Sequence, residues 1–321
     1  MSISVDDRFL DSAVAADELA ADALAGLTAQ PKTLPPRWFY DRRGSELFEQ
    51  ITELPEYYPT RTERLILQQH ADDIAAAAGV NTVVELGSGS SSKTRLLLDA
   101  WQRGGTLQRI VTVDVSVSAL TEAAQVLSAR YPGVQVQPVR ADFTRHLHGL
   151  DTVGRTAIVF LGSTIGNLDP AQRRQFFDSV RAALADGDVL LLGTDLVKSP
   201  DVLVPAYDDT AGVTAEFNLN VLNVLNRELG GDLPVDAFRH RAVWNAVDER
   251  IEMRLRAERV VDATLAEIEL ALHFEAGEEL LTEISSKFRR ASIAAELSAS
   301  GLQLDRWWTD PQDYFAVSMA S

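Results

Sequence analysis

The sequence predicts an α/β fold. A doubly wound, mostly parallel sheet ends in an antiparallel C-terminal strand, and a smaller α+β domain accompanies it. Three observations carry this. Short continuous apolar runs alternate with helical segments between residues 82 and 195, as strands buried on both faces require. The first run enters a helix through a small-residue turn, Gly87-Ser88-Gly89-Ser90-Ser91-Ser92-Lys93. Beyond Asp195 the rhythm changes to alternating apolar and polar residues, which suits antiparallel strands with one solvated face.

Residues 17–24 have helical spacing, and Pro31-Lys32-Thr33-Leu34-Pro35-Pro36 breaks it and runs extended. The aromatic cluster Arg37-Trp38-Phe39-Tyr40-Asp41 follows, then a helix over 45–51, a Pro-bounded loop over 54–60 and a helix over 62–78. Strands are expected at 82–86, 110–113, 134–139, 156–161 and 189–195, with helices over 94–99 and 170–185. Asp169 suits the cap of the latter helix better than Asn167 does. Residues 207–227 read as a helix carrying Asn218, Asn220 and Asn223. Residues 241–245, 250–256 and 266–274 read as strands of an antiparallel insertion, and 283–288 either closes it or begins the return to the sheet. A helix over 293–300 precedes terminal strands at 302–308 and 314–319, where Trp307 and Trp308 read as packing residues. Residues 62–195 and 287–321 would form one domain, and 1–61 with 196–286 a discontinuous second one.

Composition narrows the function. The formal charge of −17 argues against a nucleic-acid substrate, since phosphate binding needs basic patches and the chain has no Lys/Arg-rich block. A small or cationic substrate fits better. The chain has no cysteine, which removes disulfides, thiolate metal sites and cysteine nucleophiles together. The acidic, Ala-rich start lacks the features of a signal peptide, and no apolar run is long enough to span a membrane, so a cytoplasmic location is expected. A monomer is taken as the working expectation, and no pattern in the sequence sets the oligomeric state. His70, His146, His148, His240 and His273 show no metal-ligand spacing.

The turn after Leu86 brings backbone N–H groups close to a ligand, and Asp114 at the end of the next strand suits a ribose hydroxyl pair. A dinucleotide fingerprint wants a third glycine where Ser92 stands, which disfavours a nicotinamide-dependent dehydrogenase. Glu85 beside the turn suits a cationic ligand better than a diphosphate. The Glu85-Leu86-Gly87-Ser88-Gly89 spelling is the usual first motif of S-adenosylmethionine-dependent methyltransferases.

Longer strings are more specific. They include Leu34-Pro35-Pro36-Arg37-Trp38-Phe39-Tyr40-Asp41, Leu54-Pro55-Glu56-Tyr57-Tyr58-Pro59-Thr60-Arg61, Phe160-Leu161-Gly162-Ser163-Thr164-Ile165-Gly166-Asn167-Leu168 and Gly193-Thr194-Asp195-Leu196-Val197-Lys198. Ala206-Tyr207-Asp208-Asp209 and Leu281-Thr282-Glu283-Ile284-Ser285 complete the set, which spans nearly the whole chain. On these strings the chain resembles the L-histidine Nα-methyltransferases of ergothioneine biosynthesis. The resemblance implies a Rossmann-like methyltransferase sheet, S-adenosylmethionine as methyl donor and three transfers to the α-amino nitrogen. It implies that Gly87, Lys93, Asp114, Asp142 and Phe143 bind the cofactor. Tyr40 would lie close to both the cofactor and the reacting amine, and with Asn167 would take the catalytic role. It further implies that Tyr57, Asn167 and Tyr207 engage the amino-acid backbone, with Gly162 contributing main chain nearby. Met253, Glu283 and Ser285 would form the imidazole pocket. Two local departures stand out: Ser90-Ser91-Ser92-Lys93 replaces a usual Thr-Ser-Glu-Lys, and Ser286 stands where relatives often carry cysteine before Lys287.

The residues themselves support a histidine pocket. A buried imidazole needs partners for both nitrogens. Glu283 can accept from one and Ser285 can serve the other, and residues two apart on a strand share a face. Read as ordinary structure, Glu283 and Ser285 are a solvated strand face, Met253 is core packing, and Tyr58 is a core aromatic. Tyr40 and Tyr57 offer faces to a methylated ammonium. Two other functions remain open at this point: methylation of a different free amino acid, and a non-catalytic S-adenosylmethionine-binding regulatory module.

Overall fold

The structure is a computed structural model that describes residues 5–7, 12–87, 91–143, 146, 147 and 149–321, with no side-chain detail at 12–16. Ser88, Gly89 and Ser90 of the glycine turn lie outside the described residues, as does His148. In chain order the strands are β1 (Lys32–Thr33), β2 (Thr82–Leu86), β3 (Arg109–Asp114), β4 (Gln135–Arg140), β5 (Thr156–Phe160), β6 (Val189–Asp195) and β7 (Phe238–Asn245). They continue with β8 (Arg250–Ala257), β9 (Val261–Leu265), β10 (Leu270–Phe274), β11 (Glu279–Ser286), β12 (Leu304–Thr309) and β13 (Phe315–Ala320). The helices are α1 (Ser12–Leu27), α2 (Arg42–Glu53), α3 (Tyr58–Ala78), α4 (Thr94–Arg103), α5 (Val117–Arg130), α6 (Pro170–Ala183), α7 (Pro200–Leu203), α8 (Val213–Glu228) and α9 (Arg290–Ala299). They fall into two compact units: residues 1–11, 59–197 and 288–321, and residues 12–58 with 198–287.

The first unit is built on a sheet of order β12-β13-β6-β5-β2-β3-β4. The strands β6, β5, β2, β3 and β4 pair in parallel, and β13 returns antiparallel to β6. Alternate side chains of each strand feed opposite faces. Val84, Leu86, Val111 and Val113 pack with Phe176, Phe177, Ile293 and Leu297 of α6 and α9 on one side. Val83, Ile110, Ala157 and Val159 pack with Ile66, Ile74, Leu97 and Leu98 of α3 and α4 on the other. The sheet is therefore covered on both faces at its centre, which is why its central strands carry apolar runs. Asp169 caps α6 in a reciprocal capping box with Gln172, so the cap falls to Asp169 rather than Asn167. Chain order leaves β2 for β3 and β4 on one side and places β5 on the other. The β2/β5 seam is thus the reversal point, where open parallel sheets bind ligands beyond the carboxyl ends.

The second unit holds the sheet β1-β11-β8-β7 and the hairpin β9-β10 with α1, α2 and α8. Here β11 pairs antiparallel with β8, and β8 with β7, while β1 adds in parallel to β11. The 279–286 strand closes this insertion, and the return to the parallel sheet begins at Phe288, which bridges Leu196.

Three element readings are corrected. Residues 54–60 are not all loop: α3 starts at Tyr58, and Pro59 fits a first turn whose N–H groups have no intrahelical partner. Residues 207–212 precede α8 instead of belonging to it. Gly212 is left-handed at φ 77° and Asp209 accepts the Val213 and Thr214 N–H groups, fixing the start at Val213. Residues 266–274 are not one strand. A 3-10 turn at Ala266–Ile268 and a left-handed Glu269 at φ 52° join β9, which the sequence reading passed over, to β10.

Candidate functional site

Each unit gathers one set of the residues singled out in the sequence. In the first unit, Gly87 follows β2 with φ 66°, and its N–H donates to the Val113 carbonyl at 2.8 Å. Among the described residues, a side chain added at Gly87 would meet nothing closer than Phe143 Cε1 at 4.0 Å, so these residues leave the backbone open to close approach there. Phe143 in turn packs on Phe160 at the end of β5, with ring centres 4.9 Å apart. Asp114 ends β3, and its Oδ1 accepts the Ser116 N–H at 2.9 Å. Its carbonyl accepts the Ala141 N–H, which ties the loop bearing Asp142 and Phe143 to the end of the neighbouring strand. Gly87, Asp114, Asp142 and Phe143 therefore follow the carboxyl ends of three consecutive strands.

Glu85 is engaged within the first unit. Its buried carboxylate accepts from Ser91 Oγ at 2.6 Å and from Thr94 Oγ1, pinning the end of the glycine turn to β2. Burial pushes its pKa up to about 7 against the pull of those two hydroxyls and of Lys93. Lys93 pairs instead with Glu63, a fully buried carboxylate on α3. Glu63 also accepts the Gly162 N–H at 2.8 and 3.0 Å. This set joins Lys93 and Gly162 at the β2/β5 seam. Sequence reasoning missed Glu63, whose partner Gly162 is distant in the chain and which no motif marks. Asn167 ends the 3-10 turn after β5, half-buried; the left-handed Ser163 at its start accepts the Asp195 N–H through Oγ at 2.9 Å.

The second unit assembles the rest. Met253 on β8 lies directly across from Glu283 on β11, and Ile251 across from Ser285, so Met253, Glu283 and Ser285 share one sheet face. All three are buried. Ser285 Oγ lies 2.8 Å from Tyr207 Oη. The Tyr207 ring meets Tyr57 edge-on at 6.2 Å, Tyr57 meets Phe48 at 6.3 Å, and Phe48 meets Tyr40 at 5.6 Å. Tyr40, 43% exposed, is thus the outer end of an aromatic row that runs in to Ser285. Tyr58 is buried and its hydroxyl accepts from Lys198 Nζ at 2.8 Å.

Two supports of this set carried no mark in the sequence reading. His240 Nε2 lies 2.8 Å from the Tyr207 carbonyl, so Nε2 carries the proton. Its Nδ1 then accepts from Asn218 Nδ2 at 2.8 Å, and Thr282 Oγ1 donates to Asn218 Oδ1 at 2.7 Å. Burial lowers the His240 pKa, in keeping with a neutral ring. The second is Lys287, whose Nζ lies 2.8 Å from both Tyr207 Oη and Ser285 Oγ. Its position two residues beyond Ser285 was the available signal.

Acceptors at strand ends beside an open glycine fit a nucleoside carrying a hydroxyl pair. A buried carboxylate and hydroxyl on one strand face fit a ring with two polar nitrogens. No helix among the described residues is long and apolar enough to cross a membrane.

Comparison with known proteins identifies the family. Residues 19–321 match the family described as histidine-specific methyltransferase, SAM-dependent. The chain is 53% identical over 313 residues to a histidine N-alpha-methyltransferase of Mycolicibacterium smegmatis, covering 98% of each chain. It is 52% identical over 303 residues to a histidine N-alpha-methyltransferase of Mycobacterium tuberculosis, covering 94% of each. It is also 34% identical over 211 residues to ergothioneine biosynthesis protein 1 of Schizosaccharomyces pombe, covering 62% of this chain and 27% of that protein. With a match of that extent, the chain belongs to the family of S-adenosylmethionine-dependent, histidine-specific methyltransferases.

Proposed function

We propose that this chain transfers three methyl groups from S-adenosylmethionine to the α-amino nitrogen of L-histidine, giving the trimethylammonium betaine used in ergothioneine biosynthesis. The observation that carries this reading is the shared face of Met253, Glu283 and Ser285, with Tyr207 bonded to Ser285 and Tyr57 against Tyr207. It offers a ring both an acceptor and a hydroxyl.

The cofactor supplies an electrophilic methyl group on a sulfonium. Gly87 would leave room for it, Asp114 would accept from its ribose hydroxyls, Asp142 and Phe143 would hold its adenine, and Lys93 would complete the set. Glu283 would accept the imidazole N–H. Tyr57, Tyr207 and Asn167 would hold the amino-acid backbone so that the nitrogen lone pair is aimed. Fixing reactants in this way is worth about 7–11 kcal/mol, enough to carry much of a direct displacement. The α-ammonium loses one proton before each transfer. Tyr40, exposed at the end of the aromatic row, would pass that proton to water. After the third transfer the nitrogen has neither proton nor lone pair, so the reaction ends by its own chemistry.

The test is mass spectrometry after incubating the protein with S-adenosylmethionine and each common amino acid. Trimethylation of histidine alone, on the α-nitrogen, is expected. Methyl groups on the ring nitrogens, or equal turnover of another amino acid, would overturn the reading.

A further inference from the structure

The register between β11 and β8 slips by one residue at Thr282. Leu280 and Leu281 lie across from Leu255 and Arg254, whereas Glu283 and Ser285 lie across from Met253 and Ile251, so Thr282 is the extra residue of a β-bulge. A one-residue change of register moves a strand's side chains to the other face. Without the bulge Glu283 would stand across from Glu252, and Glu283 and Ser285 would leave the Met253 face. The bulge therefore decides that the three share it.

What holds the bulge is a buried chain of hydrogen bonds. Thr282 is 1% exposed, and its Oγ1 lies 2.7 Å from Asn218 Oδ1 and 3.0 Å from the Met253 carbonyl. Both of those oxygens accept, so the hydroxyl donates between them. Asn218 on α8 is fully buried and turns its amide nitrogen to the Arg254 carbonyl at 3.2 Å and to His240 Nδ1 at 2.8 Å. His240 on β7, across from Leu255, donates from Nε2 to the Tyr207 carbonyl at 2.8 Å. Turning the Asn218 amide over would set its oxygen against the Arg254 carbonyl, so the amide has one favoured orientation. The chain also needs His240 neutral, since an imidazolium would direct a second N–H at the Asn218 nitrogen. Asp208, whose Oδ1 lies 3.9 Å from Nε2, and Asp209 favour the charged ring, and burial opposes them.

We infer that Thr282, Asn218 and His240 are positioning residues acting as one unit: they hold the bulge that turns Glu283 and Ser285 to the Met253 face and fix the Tyr207 backbone beside Ser285. This rests on the reading of Glu283, Ser285 and Tyr207 as parts of the histidine site.

The test is steady-state methylation of histidine, with KM for histidine and KM for S-adenosylmethionine read separately. Thr282→Val keeps the branched shape and removes the hydroxyl. The histidine KM should rise roughly tenfold or more while the S-adenosylmethionine KM stays within about twofold. Thr282→Ser, which keeps the hydroxyl, should return the histidine KM to within about threefold of wild type. His240→Leu should behave as Thr282→Val does. His240→Gln, whose amide N–H can still reach the Tyr207 carbonyl, should lose less. Because the two ends act through Asn218, the double variant Thr282→Val, His240→Leu should lose little more than the worse single variant. Should Thr282→Val fail to fold, the two His240 variants carry the comparison. An unchanged histidine KM in Thr282→Val or His240→Leu would overturn the inference. So would a Thr282→Ser no better than Thr282→Val, a His240→Gln no better than His240→Leu, equal rises in both KM values, or losses that multiply in the double variant. Failure of wild type to methylate histidine would instead overturn the functional reading on which the inference rests.

Discussion

Asp114 and Glu283 are both carboxylates proposed to meet a ligand, yet they are expected to fail differently. Asp114 already accepts the Ser116 N–H through one oxygen. Its proposed work on the ribose is charge-assisted, at about 1.5–3 kcal/mol. Asp114→Ala should therefore weaken S-adenosylmethionine binding roughly ten- to a hundredfold. Unchanged cofactor affinity in the folded variant, measured by calorimetry, would remove Asp114 from the site. The proposed work of Glu283 is on specificity. A site that hydrogen-bonds its ligand discriminates against rings that leave its polar groups unpaired. In Glu283→Ala the histidine N–H loses its acceptor while larger, less polar rings gain room. Competition between histidine and the aromatic amino acids should show the kcat/KM ratio shifting toward the latter, by roughly tenfold or more. A fixed ratio would make Glu283 a structural member of β11.

At the scale of elements, the parallel strands were legible because a strand buried on both faces carries a continuous apolar run, such as Val83-Val84 in β2 and Val189-Leu190-Leu191-Leu192 in β6, both strands being buried along their whole length. The β9-β10 hairpin was not. Its turn uses a left-handed Glu269 where glycine or asparagine would have announced it. The candidate site was legible wherever a motif string carried it. Lys287 and Glu63 were not, because each matters through partners brought close only by folding. β6 makes this concrete. A side chain at Gly193 would stand 2.0 Å from Glu63 Oε1. Gly193→Ala should leave the sheet formed but push the Glu63 carboxylate off Lys93 and the Gly162 N–H. Cofactor affinity should then fall at least several-fold while circular dichroism is unchanged. If affinity holds, the Glu63–Lys93 pair is packing and does not support the cofactor set.

For the whole molecule, acidity and burial combine into a pH dependence of stability. Glu85 is buried and its pKa is raised to about 7, above its unfolded value of 4.5. Between these values the folded chain holds a proton that the unfolded chain has released. Stability from Glu85 is therefore fully present below pH 4.5 and is lost as pH rises through 7, a loss of about 3 kcal/mol for a shift of this size. Glu252 runs the opposite way. Burial raises its pKa, but hydrogen bonds from Arg254, Asn245 and Arg250 outweigh this and hold it at about 2. Its contribution is present above pH 4.5 and is lost as pH falls toward 2. Self-repulsion from a net charge of −17 also eases as pH falls from 7, adding to the Glu85 slope. The protein should accordingly unfold at a higher temperature near pH 5 than at pH 7.5, and at a lower one again near pH 3. Glu85→Gln isolates the buried group, since it cannot titrate and changes the surface charge little. Calorimetric unfolding of both proteins across this range should show the upper slope flattened in the variant and the acid limb retained. An unaltered slope between pH 5 and 7.5 in Glu85→Gln would assign the whole upper limb to surface repulsion and place the Glu85 pKa near its ordinary value.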